Sequence, residues 1–263
     1  MKWVLVLIIL TMNMKGYSQN PKEADTIELN GLHTYFEVYG KGSPLFLLHG
    51  FTQSSQSWVP FINEYSNEHE IYLVDLMGHG KSSPFTEDVS IRAAAQNLKD
   101  LIEYLELDSI NAIGYSYGGE ILFQLALLEP DLIKSMIIIG SCGTWEAKDF
   151  PEFVEYLSYK NIENLPWMRD QQVSEDRMKN ILDQIPNYSV TVSESELKSI
   201  KTRPLLVVGD NDHAVSLDCV IKAKTNMPNA FLWIVPNTEH RVHIDKNRNL
   251  FIKTSKDFLN KSW

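Results

Sequence analysis

Gly114-Tyr115-Ser116-Tyr117-Gly118 stands between a short apolar run, Asn111-Ala112-Ile113, and a helical one, Glu120 to Leu128. A strand that turns at once into a helix brings neighbouring backbone too close for side chains. Glycines therefore flank the turn, and the residue at its tip is held strained and exposed. Ser116 is the candidate nucleophile. Three letters of such a pattern recur by chance in a chain this long, so the context carries the weight. His49-Gly50-Phe51, Gly209-Asp210-Asn211-Asp212 and Glu239-His240 each follow another apolar run.

These runs define the architecture. Pro44 to Leu48, Ile71 to Val74, Ile110 to Ile113, Met136 to Ile139, Leu205 to Val208 and Phe231 to Val235 are short and do not alternate with polar residues, as expected of strands covered on both faces. Helical patterns at Ser57 to Tyr65, Ile91 to Glu106 and Gly119 to Leu128 lie between them. Two earlier strands, Thr26 to Leu29 and Leu32 to Tyr39, flank the hairpin pair Asn30-Gly31. The expectation is an α/β fold, a mostly parallel eight-stranded sheet with helices on both faces and function at the carboxyl ends of the strands. From about 145 to 199 the rhythm breaks. Helical patterns at Phe150 to Leu157 and Ser174 to Ile185, without a buried strand, predict a small helical cap, and Ser193-Glu194-Ser195-Glu196 predicts a capping box. A final helix from Asn247 to Leu259 is expected to pack Leu250, Phe251, Phe258 and Leu259 on the sheet.

One catalytic domain, 19–263, accounts for the length. Residues 1–18 read as a signal peptide: Lys2 precedes the apolar stretch Trp3 to Leu10, which is too short for a ~30 Å hydrocarbon layer. An exported, periplasmic or secreted protein is expected, with no stable membrane insertion once the signal is removed. The net charge is −10, and −12 without Lys2 and Lys15, which disfavours nucleic acid and anionic membranes as partners. A neutral small-molecule substrate and a monomer or homodimer are expected. Cys142 and Cys219 have no metal-ligand spacing; a disulfide between them and two buried thiols both remain open.

An alcohol needs an adjacent base, and the base needs a third group to fix its tautomer. His240, a few residues beyond the last buried strand, is the base, with His213 and His243 as fallbacks, while His33 and His69 lie in or near edge-like elements. The acid is Asp212 or Asp210, either of which could reach the ring. The backbone N–H groups of Tyr117 and Phe51 are the candidate oxyanion donors. Asp75 to Ser82 lacks the glycines of a phosphate loop and is taken as a turn shaping the pocket floor, so no cofactor is expected. No third spaced ligand joins His240 and His243 in a metal site. The cap aromatics Trp145, Phe153 and Trp167 are candidates for the substrate pocket.

These segments together resemble the α/β-hydrolase superfamily, in its serine esterase-like branch, over about Leu32 to Leu259. His49-Gly50-Phe51 resembles its oxyanion loop, Asp75 to Ser82 its Asp-x-x-Gly-x-Gly-x-Ser turn and Gly114 to Gly119 its serine elbow. The resemblance implies that Asp212, second in its segment, is the acid, and that the chemistry is acyl transfer by a Ser116–His240–Asp212 triad on small to medium hydrophobic esters. Other acyl bonds (lactone, amide or carbon–carbon), perhydrolase-like chemistry and ligand binding without turnover are the alternatives. Glu239 stands where the family usually has glycine.

Overall fold

Strands that are apolar at every position need cover on both faces, and the chain provides it. The computed structural model describes residues 20–261, so the expected signal peptide lies outside the described residues. β1 (Glu23–Leu29) and β2 (Leu32–Gly40) form a hairpin whose turn residues Asn30 and Gly31 both have positive φ, 50° and 81°. β3 (Ser43–Leu48), α1 (Ile62–Tyr65), β4 (His69–Val74), α2 (Ile91–Tyr104), β5 (Ile110–Tyr115), α3 (Tyr117–Leu128) and β6 (Ile133–Ile139) follow. The chain then leaves the sheet through β7 (Thr144–Glu146), α4 (Pro151–Tyr156), α5 (Pro166–Gln171), α6 (Glu175–Leu182), β8 (Ser189–Thr191) and α7 (Glu194–Ser199). It returns as β9 (Arg203–Gly209), α8 (Leu217–Asn226), β10 (Phe231–Val235) and α9 (Arg248–Leu259).

The eight-stranded sheet has the order β1-β2-β4-β3-β5-β6-β9-β10; only the β1–β2 and β2–β4 pairs are antiparallel. Side chains alternate between two cores. Phe46, Leu48, Ala112 and Met136 pack with Leu98, Leu101, Ile121 and Leu125 of α2 and α3. Leu45, Leu47, Ile113 and Ile137 pack on the other face with Phe251 and Phe258 of α9. Each such side chain, once fully buried, contributes roughly 1.5–3 kcal/mol. Among the described residues no helix is long and apolar enough to cross a membrane.

Five expectations need correction. The stretch expected as one helix from Ser57 is a 3₁₀ segment over Ser55–Phe61 before α1, because Pro60 has no N–H to donate inside it. Leu250 is 52% exposed whereas Phe251 is fully buried, so the apolar stripe of α9 lies one residue further round. β10 is an edge strand with Phe231 and Ile234 exposed, not a strand buried on both faces. The segment above the sheet is not wholly helical, since β7 and β8 pair antiparallel at its base. His69, placed near an edge by its sequence position, is buried at the start of the interior strand β4. The capping box at Ser193 and Glu196 is present, and Cys142 and Cys219 are joined as a disulfide between the loop after β6 and α8.

Candidate active site

Ser116 sits between β5 and α3 with φ 51° and ψ −113°, a left-handed backbone that a serine adopts only when its surroundings compel it. Its N–H donates to Ile139 O at 2.8 Å, and its carbonyl accepts from Gly119 N–H, Glu120 N–H and Ser141 Oγ. The flanking glycines are required by space. A Cβ on Gly114 would lie 2.5 Å from Gly118 O, and one on Gly118 would lie 2.6 Å from Leu48 O.

His240 and Asp212 meet above the same end of the sheet. His240 Nδ1 and Asp212 Oδ2 are 2.8 Å apart, and the aspartate's other oxygen accepts the N–H groups of Ala214 and Val215 at 2.9 and 3.0 Å. The Asp212 side chain is 1% exposed and that of His240 20%. With Nδ1–H donating to the carboxylate, the network assigns Nε2 as the ring's free acceptor. Tyr115, whose ring centroid lies 5.1 Å from that of His240, packs against the imidazole. Gly140 (φ 61°) lies beneath it, where a Cβ would be 2.8 Å from the ring. Asp210 does not meet His240. It is exposed and accepts the Thr238 N–H at 3.1 Å, bracing the turn that precedes His240.

Ser116 and His240 share a cavity of about 420 Å³ that Phe51, Trp145, Phe153 and Trp167 also line. Tyr117 does not line it, and its ring is buried. The N–H groups of Phe51 and Tyr117 have no acceptor among the described residues. Two buried histidines hold the Phe51 loop. His49 Nε2 accepts the Leu76 N–H at 3.0 Å and its Nδ1 bonds Gly50 O, while His79 Nε2 accepts the Thr52 N–H at 3.2 Å and its Nδ1 bonds Met77 O. Each ring therefore donates at Nδ1 and accepts at Nε2. Burial keeps both neutral by lowering their pKa values. Gln172 Nε2 donates to Thr52 O and Gln53 O, tying the end of α5 to the same loop.

The Asp75 to Ser82 turn contributes no residue to the cavity wall, a correction to its expected place in the floor. Its carboxylate instead accepts the N–H groups of Ser55 and Lys81, anchoring the Phe51 loop from below. Of the fallback bases, His213 is exposed, and His243 is buried and stacked on Trp58 at 5.1 Å. A second serine–histidine contact, Ser43 Oγ to His69 Nδ1 at 2.9 Å, lies at the amino ends of β3 and β4, and neither residue lines the cavity.

Sequence reasoning missed Tyr115, Tyr188 and Glu120, all on the cavity wall. Glu120 is 4% exposed, and one of its oxygens, Oε2, is buried without a partner among the described residues. Burial pushes its pKa up to about 8, against weak opposition from the Cys142 and Gly143 N–H groups. Its signal was present: a carboxylate one helical turn from Ser116 in an otherwise apolar helix.

The fold recurs in solved structures. An enol-lactonase from Burkholderia xenovorans LB400 superimposes with a TM-score of 0.77 at 17% identity, over 90% of this chain and all of that one. A meta-cleavage product hydrolase from Pseudomonas fluorescens IP01 does so with a TM-score of 0.76 at 16% identity, over 91% and 98%. By sequence, an uncharacterized protein of Mycobacterium bovis is 28% identical over 121 residues, 45% of this chain and 36% of that one, so the chain spans about a third of that relative's length. Residues 43–198, which carry the Phe51 loop, the Ser116 elbow and nearly all of the segment above the sheet, match the alpha/beta hydrolase fold. With more than half of its length so matched, the chain belongs to the α/β-hydrolase fold family.

Proposed function

We propose that the chain is a serine hydrolase of acyl bonds in which Ser116 attacks, His240 carries the proton and Asp212 holds the ring. The observation that supports this most is the 2.8 Å His240–Asp212 contact beside a serine at φ 51° on the same cavity. His240 Nε2 takes the Ser116 proton as Oγ bonds the carbonyl carbon, and the carbonyl electron pair moves to oxygen, facing the Phe51 and Tyr117 N–H groups. Collapse expels the leaving group, which takes the proton from His240. Water then repeats the sequence on the acyl-enzyme.

For the bond itself, the reading we favour is a lactone or a carbon–carbon bond adjoining a carbonyl, supported by the likeness to an enol-lactonase and a meta-cleavage product hydrolase. A simple hydrophobic carboxylic ester is the second reading, favoured by the aromatic wall of Trp145, Phe153 and Trp167. Covalent labelling with a fluorophosphonate probe tests the shared chemistry. Modification at Ser116 that collapses in His240→Ala is expected, and absence of labelling in a folded protein overturns it. A panel of lactones, carbon–carbon substrates and alkyl esters then separates the two readings by kcat/KM.

We also propose that the chain is exported. The Cys142–Cys219 disulfide suits an oxidising compartment. Mass spectrometry of the protein from its host is expected to find a mature N-terminus near Gln19, and an intact Met1 overturns this.

A further inference from the structure

Glu120 is a buried acid on the wall of a cavity that aromatic and polar side chains share, and it is left incomplete. It sits one turn into α3 beyond Ser116, 4% exposed, on a wall shared with Trp145 and Tyr188. Its Oε1 accepts the Cys142 N–H at 3.3 Å and the Gly143 N–H also acts on the carboxyl, whereas Oε2 is buried without a hydrogen-bond partner among the described residues. No cation among the described residues balances it. Arg241, the one lysine or arginine on the cavity wall, is solvent-exposed and makes no ion pair among the described residues. A buried carboxylate with no cation costs several kcal/mol, so the group holds its proton, in agreement with its raised pKa. Because Oε1 already accepts, the proton belongs on Oε2. Glu120, a residue of the cavity wall, therefore carries a buried O–H whose acceptor is missing among the described residues, at a cost of about 1–3 kcal/mol that a ligand oxygen reaching it would relieve.

We propose that Glu120 is a specificity-determining residue that donates a hydrogen bond from its neutral carboxyl to a second oxygen of the substrate, a keto or similar acceptor apart from the scissile carbonyl. This deepens the serine-hydrolase reading and rests on it for the identity of the site. A cavity lined by aromatic groups alone would accept a plain alkyl chain equally well. A donor beside the nucleophile selects against it, because binding an alkyl chain leaves the O–H buried and unsatisfied. Substrates with a second oxygen acceptor apart from the scissile carbonyl follow from this chemistry.

Binding to Ser116→Ala tests the inference without relying on turnover. The probes are methyl hexanoate and its 3-oxo, 4-oxo and 5-oxo derivatives, which move one acceptor along the chain. At least one keto ester is expected to bind tenfold or more tightly than methyl hexanoate. That preference is expected to persist in Ser116→Ala/Glu120→Gln, whose amide still donates, and to vanish in Ser116→Ala/Glu120→Leu. Equal binding of all four esters, or a preference that survives leucine, overturns the role of Glu120. So does tighter binding of methyl 6-aminohexanoate than of every keto ester, which would make the group a carboxylate for cations. Hydrolysis by Ser116→Ala would instead overturn the nucleophile, while the binding ratios continue to report on Glu120.

Discussion

A histidine serves as a base only when its ring is held, and here a buried carboxylate at Nδ1, the Tyr115 ring and Gly140 all constrain it. Asp212→Asn keeps the shape but can donate to Nδ1 and favour the wrong tautomer. It is expected to lower kcat/KM by about 10³–10⁴-fold, measured on whichever substrate the panel identifies. Asp210→Ala loosens only the Thr238 turn and is expected to cost no more than about tenfold. Equal losses in the two variants would contradict the assignment. Gly140→Ala adds a methyl 2.8 Å from the imidazole at a φ of 61°. A loss of about 100-fold or more in kcat/KM, with an unchanged far-UV circular dichroism spectrum, is expected as His240 is displaced. The two aspartates show how far the sequence could be read. Both leave β9 on one loop, and nothing in their spacing says that Asp212 turns inward onto the Ala214 and Val215 N–H groups while Asp210 turns outward to Thr238.

Elements were legible where hydrophobic period and length agreed. The six apolar runs became strands because each is too short for a helix, five of them inside the sheet and β10 at its edge, and the carboxyl ends of β3, β5, β9 and β10 lead to Phe51, Ser116, Asp212 and His240 as expected. What could not be read depends on contacts distant in sequence. β7 and β8 are three residues each and pair across a separation of more than forty, so no local signal marks them. Phe231 to Val235 looks like an interior strand, yet among the described residues no strand covers its outer edge. The Cys142–Cys219 bond is likewise a matter of placement, with Cα atoms 5.8 Å apart and 77 residues between them in sequence. It pins the loop after β6 to α8, beneath the segment that roofs the cavity. On the chain-entropy account, closing so long a loop stabilises the fold by about 4 kcal/mol. Cys142→Ala/Cys219→Ala is therefore expected to unfold at markedly lower urea concentration with a similar denaturant slope. A midpoint within 0.3 M of the parent, taking that as roughly the error of such a comparison, would show that the two elements are held by packing alone.

Over the whole molecule, the buried titratable groups oppose one another across the pH scale. His243 is held near pKa 3 by burial, with the nearby His240 and Arg241 acting in the same direction, and burial also lowers His49 and His79. Each is neutral when folded but takes a proton once unfolded below about pH 6.5, so stability is present above that pH and falls as the solution is acidified. Glu120 behaves in the opposite sense. Its folded pKa of about 8 exceeds the ordinary carboxyl value of 4.5, so the folded chain keeps a proton that the unfolded chain releases. Stability from this group is whole below about pH 4.5 and declines as pH rises toward 8, by up to about 5 kcal/mol. Glu120→Gln cannot ionise and removes only that alkaline decline. Urea unfolding at pH 5 and pH 8 is therefore expected to show the variant gaining on the parent by several kcal/mol between the two pH values. Parallel changes in both proteins would mean that Glu120 ionises as freely as a surface carboxylate, and that its Oε2 finds a partner the folded chain does not itself provide.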